Sequence, residues 1–250
     1  MTAPAAASRP VALVTGAARR LGAAIARRLH AAGFDLALHY RHSTGDFEAL
    51  AAELQAARPD SVLGAAADLA DAAALPGLVD AVMRRYGRLD ALVNNASAFS
   101  PTPLGTIAAA DWDAQFAVNA RAPLLLAQAA APHLRATRGA IVNLVDVYAE
   151  RPLRDHAVYC MSKAALVAGT RALALELAPD VRVNAIAPGA ILWPEEGKSE
   201  TAKAALLART PLARTGSPDD IADAALWLIQ GAAYTTGTVL PVEGGRLLGS

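Results

Sequence analysis

The chain has a single cysteine, Cys160, among 250 residues. An internal disulfide is therefore impossible, and a reducing, cytoplasmic setting is expected. Aromatic residues are scarce at 5% while hydrophobic residues reach 54%, so the core has to be largely aliphatic. An excess of either charge is missing too, since 23 Lys and Arg balance 23 Asp and Glu. That balance argues against a bulk binder of nucleic acid or membranes. Residues Met1 to Pro10 lack the apolar stretch of a signal peptide and read as a flexible N-terminal segment. No apolar run looks long enough to span a bilayer, and no metal site is expected.

What the chain does have is alternation. β-type runs fall at Val11–Thr15, Asp35–His39, Ser61–Ala66, Ala91–Val93, Ala140–Leu144, Val181–Ile186 and Thr238–Val242. Between them lie Ala-rich helical stretches near Leu21–Ala32, Phe47–Ala57, Leu75–Tyr86, Trp112–Arg135, His156–Leu177, Glu200–Ala208 and Asp219–Ile229. This alternation predicts an α/β fold: a doubly wound parallel sheet of about seven strands with helices on both faces. No composition break divides it, so residues 11–250 read as one domain. Ligands of such sheets bind beyond the carboxyl ends of the strands.

The first strand runs into Thr15-Gly16-Ala17-Ala18-Arg19-Arg20-Leu21-Gly22 and then a helix. A glycine-bearing turn there aims backbone N–H groups and the positive helix end at a pyrophosphate. The usual dinucleotide pattern has a glycine where Arg20 stands. The second strand leads into His39-Tyr40-Arg41-His42-Ser43, with no acid to hold the ribose 2′-hydroxyl of NAD. Such a basic and hydroxylic cluster suits the 2′-phosphate of NADP, which takes charge-assisted donors. Asp68, followed by Leu69, comes after the third strand; its carboxylate can accept from an adenine amino group, cap the next segment, or do both. After the fourth strand, Asn94-Asn95-Ala96-Ser97 is either an ordinary polar turn or a place where the chain passes close to a cofactor ribose.

Asp146 follows the fifth strand, and Tyr159 and Lys163 lie on the next helix. A tyrosine and a lysine four apart share one helix face. In that arrangement the ammonium can lower the phenol pKa and make the tyrosine a usable proton donor.

In this order and spacing, Thr15-Gly16, Asn94-Asn95-Ala96, Asn119, Tyr159 to Lys163 and Pro188-Gly189 resemble the short-chain dehydrogenase/reductase superfamily over nearly the whole chain. The resemblance implies a Rossmann-type domain that binds NADPH. Its cofactor-binding residues would be Gly16, Arg19, Arg20, Leu21, the His39–Ser43 cluster, Asp68, Leu69, Asn95, Ala96, Ser97, Tyr159, Lys163, Pro188 and Gly189. Tyr159 would protonate the substrate, Lys163 would bind the nicotinamide ribose, and Asn119 would hold a water linking the lysine to solvent.

Three departures narrow the resemblance: Arg20 and Ser97 stand in place of glycines, and Asp146 in place of a serine. Together with Ala98-Phe99-Ser100-Pro101-Thr102-Pro103-Leu104, they resemble the pteridine reductases. The segment Ile186-Ala187-Pro188-Gly189-Ala190-Ile191-Leu192-Trp193 and the ending Gly244-Gly245-Arg246 resemble the related dihydromonapterin reductases. This implies that Phe99 stacks a pterin against the nicotinamide, that Ser97 and Arg20 touch cofactor phosphate and substrate, and that Asp146 works beside Tyr159. Trp193, on a substrate loop near residues 190–200, would either close over the substrate or face a neighbouring subunit. Family likeness also implies a homotetramer, pairing the Trp112–Arg135 and His156–Leu177 helices.

The aspartate has a chemical logic. A carbonyl reductase must donate hydrogen bonds to an oxygen that gains negative charge, which an ionised carboxylate cannot do. Reduction of a C=N bond instead needs a proton on nitrogen, and a carboxyl group can hold or relay one. The expected activity is NADPH-dependent reduction of dihydropterins, extending to oxidised pterins and dihydrofolate. Rival expectations are a 3-oxoacyl or ketone reductase on the same fold, and an NADP-sensing binding protein without catalysis.

Overall fold

The computed structural model of the chain describes residues 9–193 and 199–248. Residues 1–8 of the expected N-terminal segment and residues 194–198 of the expected substrate loop lie outside them.

Seven parallel strands form one sheet: β1 (Val11–Val14), β2 (Asp35–Tyr40), β3 (Val62–Ala66), β4 (Ala91–Asn94), β5 (Ala140–Leu144), β6 (Arg182–Pro188) and β7 (Val239–Val242). Their spatial order is β3-β2-β1-β4-β5-β6-β7. The order reverses between β1 and β4, and a crevice opens there at the carboxyl ends of the strands. The period-two alternation of each strand feeds two cores. Ala12, Val14, Ala91, Val93, Ala140 and Val142 pack on one face. Val11, Leu13, Leu92 and Ile141 pack on the other.

The described residues form eight α-helices: α1 (Arg20–Ala31), α2 (Thr44–Ala57), α3 (Leu75–Tyr86), α4 (Ala109–Phe116), α5 (Ala122–Thr137), α6 (Ala157–Leu177), α7 (Glu200–Ala208) and α8 (Pro218–Leu226). The sheet buries side chains of α1, α2 and α8 on one side and of α3, α5 and α6 on the other.

Two expectations need correction. The single helix expected over Trp112–Arg135 is interrupted by a π-helical turn, Ala117–Arg121, between α4 and α5. Pro123 has no N–H to return to the Asn119 carbonyl, so α-helical pairing fails there and the wider spacing takes over. Nor is every run too short to cross a membrane: α6 reaches that length and a mean hydropathy of 1.2. Its inward side nevertheless carries buried Tyr159, Ser162, Lys163 and Thr170. The apolar side chains Leu166, Leu173 and Leu177 on the same helix join the cores, which accounts for its hydropathy.

Candidate active site

The phosphate end of the site is built by the turn after β1. Gly16 has φ +59, and a Cβ there would lie 2.9 Å from the Ala96 Cα. A Cβ at Gly22 would strike the Gly16 carbonyl and come within 2.6 Å of the Asn95 amide. Both glycines are needed because the β1 and β4 turns touch. Arg20 also holds a left-handed backbone, φ 52, that an L side chain rarely adopts. No side chain caps α1 at Arg19. Its first-turn N–H groups are thus left for an anion at the positive helix end.

Beside this turn lies a cavity of 490 Å³ lined by Gly16, Arg19 to Gly22, His39 to Ser43, Asp68, Leu69 and Asn95 to Ala98. The phosphate turn and the basic cluster, separate in sequence, therefore face one space. Not every expected ligand presents its side chain to it. Buried His39 accepts from the Gly16 N–H at Nδ1 (3.1 Å), while Nε2 faces the Ala67 carbonyl at 3.1 Å. Burial lowers its pKa. This fixes a neutral ring that fastens the turn, leaving no ring nitrogen for phosphate. Likewise the Asn95 amide turns inward and donates to the Thr15 and Gly16 carbonyls at 2.8 and 2.9 Å. Its contribution to the cavity is the shape of the turn. Asp68 caps its own turn through the Ala70 N–H at 2.9 Å and lies 3.6 Å from Arg41. Arg19 pairs with Asp46 at 3.6 Å, and Ser43 stands at the N-terminus of α2 without capping it. At the far end of the sheet, Pro188 pairs with Val242, and the Gly189 N–H donates to the Val242 carbonyl at 3.0 Å. A Cβ at Gly189 would come within 2.7 Å of the Glu243 Cα.

The chemical end gathers Asp146, Tyr159 and Lys163 below Phe99. Tyr159 Oη donates to Asp146 Oδ2 at 2.7 Å, and the Tyr148 N–H donates to Oδ1 at 2.9 Å. Lys163 is buried, and its Nζ donates to the Leu144 carbonyl at 2.8 Å. Burial raises the Asp146 pKa, outweighing the N–H of Tyr148, the hydroxyl of Tyr159 and the charges of Lys163 and Arg246. Burial lowers that of Lys163 to about 8, against the pull of Asp146. The expected depression of the phenol pKa is absent: burial and then the neighbouring Asp146 charge push Tyr159 upward. Burial and a carboxylate in hydrogen-bond contact both favour the neutral phenol, and the Lys163 ammonium lies 5.8 Å from the ring centroid.

Asn119 sits in the π-helical turn and is fully buried. Its amide donates to the Ala98 carbonyl (2.8 Å) and Ser162 Oγ (2.9 Å), and accepts from the Ala98 N–H (2.8 Å) and Ser97 Oγ (3.2 Å). The side chain thus has no capacity left for the expected water; any water there falls to the main chain. Phe99, just beyond the clamped Ala98, is half exposed and meets the Tyr159 ring edge-on, centroids 4.7 Å apart. Trp193 is placed with its ring 5.9 Å from the Lys203 ammonium of α7.

Sequence reading missed two neighbours. His156 stacks on Phe99 at 4.7 Å and 20°. Its place three residues before Tyr159 was the only available signal, and nothing in the sequence paired it with Phe99. Arg246 reaches Tyr148 from 98 residues away; it was visible only as part of a C-terminal likeness.

A family model described as enoyl-(acyl carrier protein) reductase matches residues 16–246. Pteridine reductase 1 of Leishmania tarentolae is 38% identical, with 96% of each chain covered. A granaticin polyketide synthase ketoacyl reductase of Streptomyces violaceoruber is 41% identical, again over 96% of each. A 3-oxoacyl-acyl-carrier-protein reductase of Staphylococcus aureus is 35% identical, over 95% of this chain and 98% of its own. Overall identity therefore does not separate pterin from ketoacyl substrates, and the distinction falls to the site residues.

Proposed function

The chain belongs to the short-chain dehydrogenase/reductase family of oxidoreductases, and on that premise we propose that it is an NADPH-dependent pteridine reductase. Its substrates are dihydropterins, dihydromonapterin included, with oxidised pterins and dihydrofolate as further candidates. The observation that carries this reading is the 2.7 Å bond between Tyr159 and Asp146. A ketone reductase needs a second donor at that place, whereas the Asp146 carboxylate accepts from both Tyr159 Oη and the Tyr148 N–H.

The cavity's residues fit the cofactor. The uncapped α1 terminus and Arg20 suit a pyrophosphate, and Arg41, His42 and Ser43 suit a 2′-phosphate. Bound NADPH supplies the hydride. The protein's part is to orient the ring and to deliver a proton to its nitrogen. Phe99 offers an aromatic surface for a flat heterocycle beside Tyr159. A proton passed from Tyr159 Oη to the ring nitrogen is replaced from Asp146 along their hydrogen bond. Burial raises the Asp146 pKa, which eases the uptake of the proton that this exchange passes on. The same reading extends to a cytoplasmic homotetramer, supported by the lone buried cysteine and by exposed Leu124 on α5 and Leu175 on α6.

The test is a substrate panel: purified protein with NADPH and, separately, dihydrobiopterin, dihydromonapterin, dihydrofolate and a 3-oxoacyl thioester. Turnover of the pterins is expected. Turnover of the thioester alone sinks the reading, and NADPH binding without any turnover supports a cofactor sensor.

A further inference from the structure

The ending Gly244-Gly245-Arg246 forms a built turn. Glu243 accepts from the Gly245 N–H at 3.1 Å and from the Leu247 N–H at 2.8 Å. Gly244 and Gly245 have φ values of 69 and 85, and a Cβ on Gly245 would meet Pro211 Cγ at 2.7 Å. The Arg246 carbonyl accepts from Arg151 Nη1 at 3.1 Å, which anchors the turn from outside. Held in this way, the Arg246 guanidinium donates to Tyr148 Oη at 3.1 Å and lies 5.0 Å from the centroid of its ring. Tyr148 in turn gives its backbone N–H to Asp146 Oδ1.

We propose that Arg246 is a positioning residue for Asp146, fixing the Tyr148 turn and placing a permanent positive charge near the carboxyl that resupplies Tyr159. The proposal rests on the role given above to Asp146 as the proton source. The charged and titratable groups acting on Asp146 come from three elements: Tyr159 and Lys163 of α6, the Tyr148 N–H of its own turn, and Arg246 of the C-terminal turn. The two cations differ in kind. Burial brings Lys163 down to about 8, so its charge fades in mildly alkaline solution. A guanidinium stays protonated throughout. Arg246 is therefore the guanidinium partner of Asp146, reaching it from the C-terminal turn. It works against burial together with the stronger influences of the Tyr148 N–H, the Tyr159 hydroxyl and Lys163.

The experiment is a carboxyl ¹³C NMR titration of Asp146 in the cofactor-free protein, its signal assigned by its loss in Asp146→Asn. Wild type, Arg246→Met and Arg246→Lys are compared, together with the pH profile of kcat/KM for a dihydropterin. Arg246→Met is expected to raise the Asp146 midpoint by at least ~0.5 unit, because a stabilising opposite charge is gone. The kcat/KM limb should move with it. Arg246→Lys, which keeps the charge, should stay near wild type. A midpoint unmoved in Arg246→Met, or equal rises in both variants, overturns the proposal. Tyr148→Phe removes only the hydroxyl anchor and should give a smaller rise; it keeps the question decidable if Arg246→Met does not fold. Because the titration needs no substrate, a shifted midpoint in a protein inert towards pterins defeats the function above but not the role of Arg246. Pterin turnover with an unmoved midpoint does the reverse.

Discussion

Asp146 combines two conditions that rarely coexist: it is ringed by hydrogen-bond donors and cations, yet its pKa is raised. Desolvation decides the outcome, since burial disfavours the carboxylate more than its partners favour it. Replacing it by serine removes the carboxyl that the proposed mechanism uses to resupply Tyr159. Asp146→Ser is expected to slow dihydropterin turnover by about 100-fold or more, the usual worth of a positioned acid. The NADPH dissociation constant, measured by fluorescence titration, should change little because the cavity residues are untouched. Unchanged turnover would remove Asp146 from the chemistry. Arg20 belongs to the same scale. A left-handed backbone costs an L residue roughly 1–2 kcal/mol where glycine bears almost none. Keeping arginine there points to work for its side chain at the phosphate end.

At the scale of elements, the π-helical turn lets Asn119 act as a clamp. The turn interrupts the helix run where Pro123 leaves the Asn119 carbonyl without its α-helical donor. The side chain then pins the Ser97–Ala98 loop to α6 through Ser162. A second fastening comes from Thr102, which bridges to His156 and accepts from the Val158 N–H at 3.4 Å. Phe99 lies between these two fixed points. Asn119→Ala leaves buried groups of Ala98 and Ser162 unpaired and should cost about 1–3 kcal/mol in chemical denaturation. The pterin KM should rise more than kcat falls, because the loop carrying Phe99 loosens while Asp146 and Tyr159 keep their bond. A fall in kcat alone would mean that the clamp serves proton transfer rather than binding.

For the whole molecule, the sheet reversal between β1 and β4 decides where a ligand goes. The α5 and α6 surfaces are those that the proposed tetramer would cover. Leu175 is 82% exposed and Leu124 50%, the kind of apolar surface that association covers. Light scattering is expected to give about four times the 25.7 kDa chain mass, and a monomer at micromolar concentration would refute the tetramer. The sequence by itself determined the alternation of strands and helices, the placing of Gly16, Asn95 and Asp146 after strands, and that of Tyr159 on the helix beyond. Periodicity and turn chemistry are local, so they are written locally. Only the tertiary structure decided that His39 and Asn95 are fasteners, that Asn119 ties a loop to α6, and that burial and Asp146 govern Tyr159. It alone brought Arg246 to Tyr148 and His156 to Phe99. Hydrogen-bond partnership and desolvation depend on which distant segments meet, and no spacing along the chain records that.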